Sequence, residues 1–440
     1  MAASVFSSTL YAQLFPTGDV GRLFTDSAEV RAMLLVEGAL AKAQGALGVI
    51  PKDSAAAIHR ASLEVQLDPG AFAKATGING VSVPGLVALF RSEMQAPEHS
   101  AYVHWGATSQ DIIDTGLMLR LRQTLVLVEA DLKSVLKTLA NHAKDHADTP
   151  MPARTYGQHA TPTSWGAVCA AWGAPLLDAL HELDALRDGT LWVSLSGAAG
   201  TSAALGDHAD ETRAALAKAL GLHDPLRSWH TDRTPILRIV DWLMRIQASL
   251  GAMGQSLIGL TMSGIDEIQL GGAGASSTMP QKQNPVGPSA IVALSHQATG
   301  LRASLQAAAQ HQHQRDGTAW FTEWMVLPQI VLCTASALTH AKTVCETMSP
   351  QPAKMADALS GLGLIHAEAL SFALAEIMPR PAAQAVTKTL CAQAQDTRVP
   401  LAELASKAYP DLSKSVFNPM DQMGQAPDIA RNFATQVSKI

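Results

Sequence analysis

The sequence predicts an all-α protein organised around a bundle of long helices, and three observations predict it. The stretch from Asp111 to about His146 holds no proline and carries Ile112, Leu119, Val126, Ala130 and Leu136 among its apolar residues at helical spacings. At 1.5 Å per residue such a helix spans about 50 Å, which suits a bundle rather than a compact α/β domain. No segment shows the period-2 alternation of a half-buried strand, so no strand is expected. Apolar residues make up 47% of the 440 and charged residues only 16%. That is material for a large core, and it implies that much surface is hidden in subunit contacts.

Up to Thr25 the chain reads as irregular. Asp26 and Glu29 give a capping-box-like start to a helix that runs to about Leu47, where Gly48 and Pro51 stop it. Asp68-Pro69 opens a short helix closed by Gly77, and Pro84 to about Met94 forms another. Residues 1–107 thus read as a small helical domain. The long helix follows, with Thr108, Ser109 or Asp111 available to cap it. Pro150 and Pro152 break the chain, and the polar segment ARTYGQHATPTSWG, from Ala153 to Gly166, leads into a helix from about Pro162 to about Leu186, kinked at Pro175. Ser194 to Gly206 is a loop of small residues, and a helix from about Asp210 to about Leu220 leads to Trp229-His230. Long helices from about Thr234 to Ile265, Pro288 to Gln312 and Thr318 to Met348 complete a set of five, in a central domain of residues 108–349. Pro350 and Pro352 mark the start of a C-terminal domain, 350–440, of short helices.

The net charge is −6 and no basic run is present, which argues against a nucleic-acid partner. An anionic ligand would have to be met by local cations. The N-terminal residues lack a basic region before an apolar run, so no signal peptide is expected, and no stretch of 18 or more residues is continuously apolar, so no membrane span is expected. Cys169, Cys333, Cys345 and Cys391 are isolated and read as buried thiols in a reducing compartment, the cytoplasm. No Cys/His set has zinc spacing, and His311 and His313, two apart on a helix, do not share a face, so no metal site is expected.

Between two helical segments lies the glycine- and proline-rich stretch Gly271 to Pro288, GGAGASSTMPQKQNPVGP. Glycine lets backbone approach a ligand closely, and the prolines stop a helix from continuing. Such composition also describes a linker. Lys282 and Asn284 favour the gripping of an anion instead. The run SSTMPQKQNP resembles the mobile loop of the fumarase/aspartase superfamily, SSxMPxKxNP, keeping Ser276, Ser277, Met279, Pro280, Lys282, Asn284 and Pro285. Gln281 and Gln283 stand where relatives reading MPHKRNP have histidine and arginine.

Two further segments carry the resemblance. HWGATSQDIIDT, from His104 to Thr115, is similar to the superfamily's first motif, and places Thr108 and Ser109 at a helix start, where hydroxyls and N–H groups bind a carboxylate. The second, ARTYGQHATPTSWG, keeps Thr155, Gln158, Ala160 and Pro162 in register. His159 falls where one type of adenylosuccinate lyase has a catalytic histidine, and Tyr156 stands where many members have a histidine. The resemblance implies a three-domain all-α fold whose central five-helix domains associate into a twenty-helix core in a homotetramer, with active sites shared between subunits. It implies chemistry at a carbon α to a carboxylate. Ser276 is then the acid/base, His159 and His104 assist, and Thr108, Ser109, Thr155, Gln158, Ser277, Met279, Lys282 and Asn284 hold substrate.

HQRDGTAWFTEWMVLP, from His313 to Pro328, narrows the branch. Adenylosuccinate lyases carry an arginine for the nucleotide phosphate after the glutamate; here Glu323 is followed by Trp324, and an indole cannot replace a guanidinium. This pattern, GAAGTSAALG at Gly197 to Gly206 and WHTDR at Trp229 to Arg233 resemble the 3-carboxy-cis,cis-muconate cycloisomerases of bacterial aromatic catabolism. That branch implies lactonisation of a muconate without a cofactor, with Arg315 and Trp324 added to the substrate contacts. A 3-sulfomuconate cycloisomerase, a β-elimination lyase of a substituted succinate, and a helical scaffold without activity remain as alternatives. Intact Ser276, Lys282 and Asn284 count against the last.

Overall fold

The computed structural model describes residues 4–272, 274–275, 279 and 282–440. Helix dominates, as the sequence predicts. The long elements are Ser109–Asp145, Trp165–His181 followed by the short Leu183–Asp188, Thr234–Leu260, Val286–Ala308 and Gly317–Thr347. The chain divides into two compact units, each drawn from three stretches.

The first unit comprises Met1–Asp131, Ala179–Gln247 and Ala293–Thr339. Its N-terminal part pairs the helix Asp26–Leu47 with Lys52–Glu64. The cap of the first is the Thr25 hydroxyl, which accepts from Ala28 N–H at 3.2 Å, rather than a box built from Asp26 and Glu29. A Cβ at Gly45 would meet Ala55 Cβ at 2.3 Å, so the two helices approach closely only because that residue is glycine. The segment after Asp68 is a 3₁₀ turn, Pro69–Phe72, followed by a helix that ends at Gly80 and not Gly77. In the long helices Leu121, Leu125, Ile236, Ile239, Leu243, Ile330 and Val331 are fully buried, at helical spacings on one stripe of each helix. Gly317–Thr347 is long and apolar enough to cross a membrane, although polar residues such as Thr322, Glu323 and Gln329 interrupt it, as the sequence predicts. However, 61% of its most apolar window is buried inside the structure, and its Glu323 is ion-paired to Arg233, as befits a core helix. His311 and His313 lie beyond the end of Val286–Ala308, in a connecting segment and not on a helix.

The second unit comprises Leu132–Asp178, Ala248–Val292 and His340–Ile440. Here the expectation of no strand fails. Pro150–Thr155 and Gln158–Ser164 form an antiparallel hairpin, so the following helix begins at Trp165 rather than Pro162 and runs unbroken through Pro175. Three prolines, at 150, 152 and 162, erase both helix and alternation from the sequence; a two-stranded ribbon tolerates them because its outer edges need no partner. Tyr156 and Gly157, both at positive φ (54° and 74°), make the two-residue turn that matches strand twist. Two shorter antiparallel ladders join Ile268–Leu270 to Met348–Pro350 and Gly274–Ala275 to Gln283–Asn284. The C-terminal part has its own apolar cluster, around Leu370, Leu374, Leu390 and Leu401. Its last helix, Ala426–Val437, lays the Phe433 ring on Gly173, where a Cβ would clash at 2.1 Å. Cys169, Cys333 and Cys345 are buried, as expected, while Cys391 is half-exposed.

Candidate active site

The predicted site residues fall into two groups. His104, Thr108, Ser109, Arg315 and Trp324 lie in the first unit. Thr155, Gln158, His159, Met279, Lys282 and Asn284 lie in the second. Ser276 and Ser277 lie outside the described residues.

In the first unit the start of the helix Ser109–Asp145 is the organising point. Asp111, in its first turn, is fully buried and accepts five hydrogen bonds. Its Oδ1 accepts from Ser194 Oγ (3.0 Å), Ser196 N (2.9 Å) and His230 Nε2 (2.8 Å), and its Oδ2 from Thr108 N (3.0 Å) and Gly197 N (2.9 Å). A buried carboxylate is tolerated when its lone pairs are filled in this way. The network binds the small-residue loop after Ser194 to the helix start. It leaves the Thr108 hydroxyl to accept from Arg315 Nη2 at 3.1 Å, while Arg315 Nε donates to Gln110 Oε1 at 3.0 Å. Thr108 and Arg315, predicted from separate motifs, thus meet. Ser109, half-buried, is the first residue of the helix.

One turn further on, Asp114 and Glu323 flank the buried Arg233, each within 3.0 Å of its guanidinium. Burial disfavours the Arg233 charge, but the two carboxylates outweigh it and hold its pKa above the ordinary value. The Arg233–Glu323 pair anchors the helix that carries Trp324. The Trp324 ring itself is half-buried, packed against Trp320 and Phe321 with centroids 4.7 and 5.3 Å away. His104 Nδ1 lies 2.7 Å from Oε1 of the buried Glu37. Burial pulls the imidazole pKa down, but Glu37 and the nearby Asp111 prevail over it and over Arg91, and the pKa stands above its ordinary value.

In the second unit Thr155, Gln158 and His159 are exposed near the tip of the hairpin, Thr155 paired with Gln158 and Arg154 with His159. Arg154 makes a two-pronged ion pair with the buried Glu267, at 2.8 and 2.6 Å. Such a fork fixes orientation as well as distance, so it holds the strand carrying Arg154, and its cross-strand neighbour His159, in place. The ladder Gly274↔Asn284, Ala275↔Gln283 pairs the residues just before the motif with two near its end. Met279, Lys282 and Asn284 line a cavity of about 660 Å³ together with Asp266, Gln351 and Lys354. Among the described residues no cluster of three or more metal-ligating side chains is present.

Asp111, Ser194, Ser196, His230, Asp114, Arg233, Glu37 and Glu267 were not singled out from the sequence as site residues. The only signals were that several of them sit inside the quoted motifs and that WHTDR, with His230 and Arg233, is among the stretches that carry the resemblance.

Residues 17–300 match the family described as Lyase. The chain belongs to the fumarase/aspartase superfamily. Within the superfamily it is 36% identical over 438 residues to the 3-carboxy-cis,cis-muconate cycloisomerase of Pseudomonas aeruginosa, covering 96% of this chain and 95% of the relative. It is 37% identical over 394 residues to the enzyme of that name from Pseudomonas putida, covering 88% and 93%. The crystal structure of 3-carboxy-cis,cis-muconate lactonizing enzyme from Pseudomonas putida superposes with a TM-score of 0.92 at 33% identity, covering 98% of this chain and 99% of that one. The resemblance read from the three motifs is borne out, and so is its cycloisomerase branch.

Proposed function

We propose that the protein is a cycloisomerase that closes 3-carboxy-cis,cis-muconate to its γ-lactone in the catabolism of aromatic compounds. The observation that carries this reading is similarity along nearly the whole chain to enzymes named for that activity. Glu323–Trp324 supports it, because the position after the glutamate carries an indole packed among aromatics and no phosphate-binding guanidinium.

In the reaction, one carboxylate oxygen attacks the β carbon of an alkene in the same molecule. Electron density moves onto the neighbouring carboxylate, and a proton is delivered at the α carbon; the ionised substrate thus takes up one proton, which the donor regains from solvent, and no other atom is gained or lost. Ring closure within one molecule makes holding the reactive conformer a large part of the catalysis. Lys282, Asn284, Arg315 and the start of the helix Ser109–Asp145, with Thr108 and Ser109, are the groups suited to the carboxylates and to the charge that builds up on them. Thr155, Gln158, Ser277, Met279 and Trp324 complete the substrate contacts. Ser276 is the proton donor, and His159 polarises the attacking carboxylate. No cofactor enters this scheme. The protein acts in the cytoplasm as a homotetramer with active sites shared between subunits. In that case mixing Ser276→Ala and His159→Ala subunits restores part of the activity, and a fully active monomer in light scattering rules the assembly out.

An ultraviolet assay on cis,cis-muconate, its 3-carboxy and 3-sulfo forms, fumarate and adenylosuccinate tests the substrate. The 3-carboxy compound should lose its diene absorbance fastest. Comparable turnover of adenylosuccinate, or turnover of the 3-sulfo compound alone, overturns the assignment.

A further inference from the structure

We propose that Glu37 is a positioning residue for His104, fixing its imidazole with Nδ1 inward and Nε2 presented to a carboxylate of the substrate. The proposal rests on the functional reading above and on the resemblance of HWGATSQDIIDT to the superfamily's first motif, which implies that His104 assists at the substrate site. It extends that reading to a carboxylate from the N-terminal helix Asp26–Leu47, which none of the motifs reaches.

The geometry is that of a residue held from three sides. His104 sits at φ +64°, a left-handed conformation that few non-glycine residues adopt without support. The carbonyls on either side of it are clamped by side chains: Arg91 Nη2 donates to Val103 O at 2.9 Å and Gln44 Nε2 to Trp105 O at 2.7 Å. The ring is anchored by Glu37 at 2.7 Å. The Glu37 side chain is 0% exposed, whereas that of His104 is 19% exposed, so only the imidazole reaches solvent. Glu37 Oε2 is buried without a hydrogen-bond partner among the described residues, which leaves the contact to His104 as the support of a desolvated carboxylate. With Nδ1–H committed to Glu37, the tautomer is fixed and Nε2 is the free edge. The charged groups facing the ring are Glu37, Asp111 and Arg91. The two carboxylates bias it toward the imidazolium, in which Nε2–H donates to an anion.

The test uses the full-length Glu37→Gln protein. Histidine-labelled NMR follows the His104 titration, its signal assigned by its loss in His104→Gln, and kinetics give kcat and KM against pH. In Glu37→Gln the His104 pKa should fall, since burial persists without its counter-charge. KM should rise about 10- to 100-fold at neutral pH, the factor expected for one charge-assisted hydrogen bond. The KM rise should shrink as pH is lowered, with kcat changing less. Glu37→Asp should recover part of the effect, and Glu37→Gln should add little in a His104→Gln background. A wild-type His104 titration and KM profile in Glu37→Gln overturns the proposal; if that variant does not fold, an unchanged titration in Glu37→Asp does so. If the unaltered protein does not lactonise 3-carboxymuconate, the functional reading fails, and the NMR titration still decides the role of Glu37.

Discussion

Arg315 Nη2 donates to Thr108 Oγ1 at 3.1 Å, joining residues 207 positions apart in the chain. The guanidinium is held by Thr108, Gln110 and the Ala198 carbonyl, and so is oriented before any ligand arrives. A lysine keeps the charge but not the planar fork. Arg315→Lys is therefore expected to raise KM about 10-fold or more, the loss of one or two charged hydrogen bonds, with an unfolding midpoint close to that of the parent. Steady-state kinetics check it; an unchanged KM removes Arg315 from substrate binding.

Thr108 and Arg315 were legible because each lies in a short motif with several fixed residues. Asp111 stands in the same motif, yet its role was not legible. Its partners Ser194 and His230 are 83 and 119 residues away, and no local pattern says that a loop of small residues will be pinned to it. Helix-forming apolar periodicity is strong in this chain, so the long helices were read to within a few residues. The hairpin at Pro150–Ser164 was missed for the converse reason. It is shaped by the Tyr156-Gly157 turn and the Arg154–Glu267 pair, a contact 113 residues apart, and its sequence carries no alternation.

Arg233 is the next test. It is 1% exposed and joins two carboxylates that are equally buried. Truncating it leaves both without their counter-charge. Arg233→Ala should cost about 3–5 kcal/mol of stability, the range for breaking a buried ion pair from one side. Replacing Arg233, Asp114 and Glu323 together with apolar residues of similar volume should cost far less. Urea unfolding of the two proteins decides it; an Arg233→Ala loss below about 1 kcal/mol shows that the triad contributes no more than an exposed pair.

The Arg154–Glu267 fork makes a separate prediction about His159. If the fork serves to hold the hairpin tip, Arg154→Met and Glu267→Gln should each lower kcat. Combining Arg154→Met with His159→Ala should lower it no further than His159→Ala alone, because both changes remove the same function. Full additivity in that double-mutant cycle separates the fork from His159.

The last prediction concerns Ser276 and Lys282, whose motif is the most specific in the chain. A serine hydroxyl has little acidity near neutrality, so Ser276 can serve as proton donor only where nearby N–H groups and a cation stabilise its alkoxide. Lys282 is the cation that the motif supplies, and exclusion of water would strengthen its effect. Ser276→Ala should therefore lower kcat by about 10²–10⁴-fold, the usual contribution of a general acid or base, and leave KM nearly unchanged. Lys282→Ala should raise KM as well as lower kcat, because an ammonium on the substrate carboxylate acts in the ground state and more strongly on the dianionic intermediate. Lys282 is exposed, so its loss should leave the thermal melt in place. Kinetics and melts of the two variants separate the roles. A Ser276→Ala enzyme with near-normal kcat and an unchanged melt takes the serine out of the mechanism, and passes proton delivery to His159 or His104.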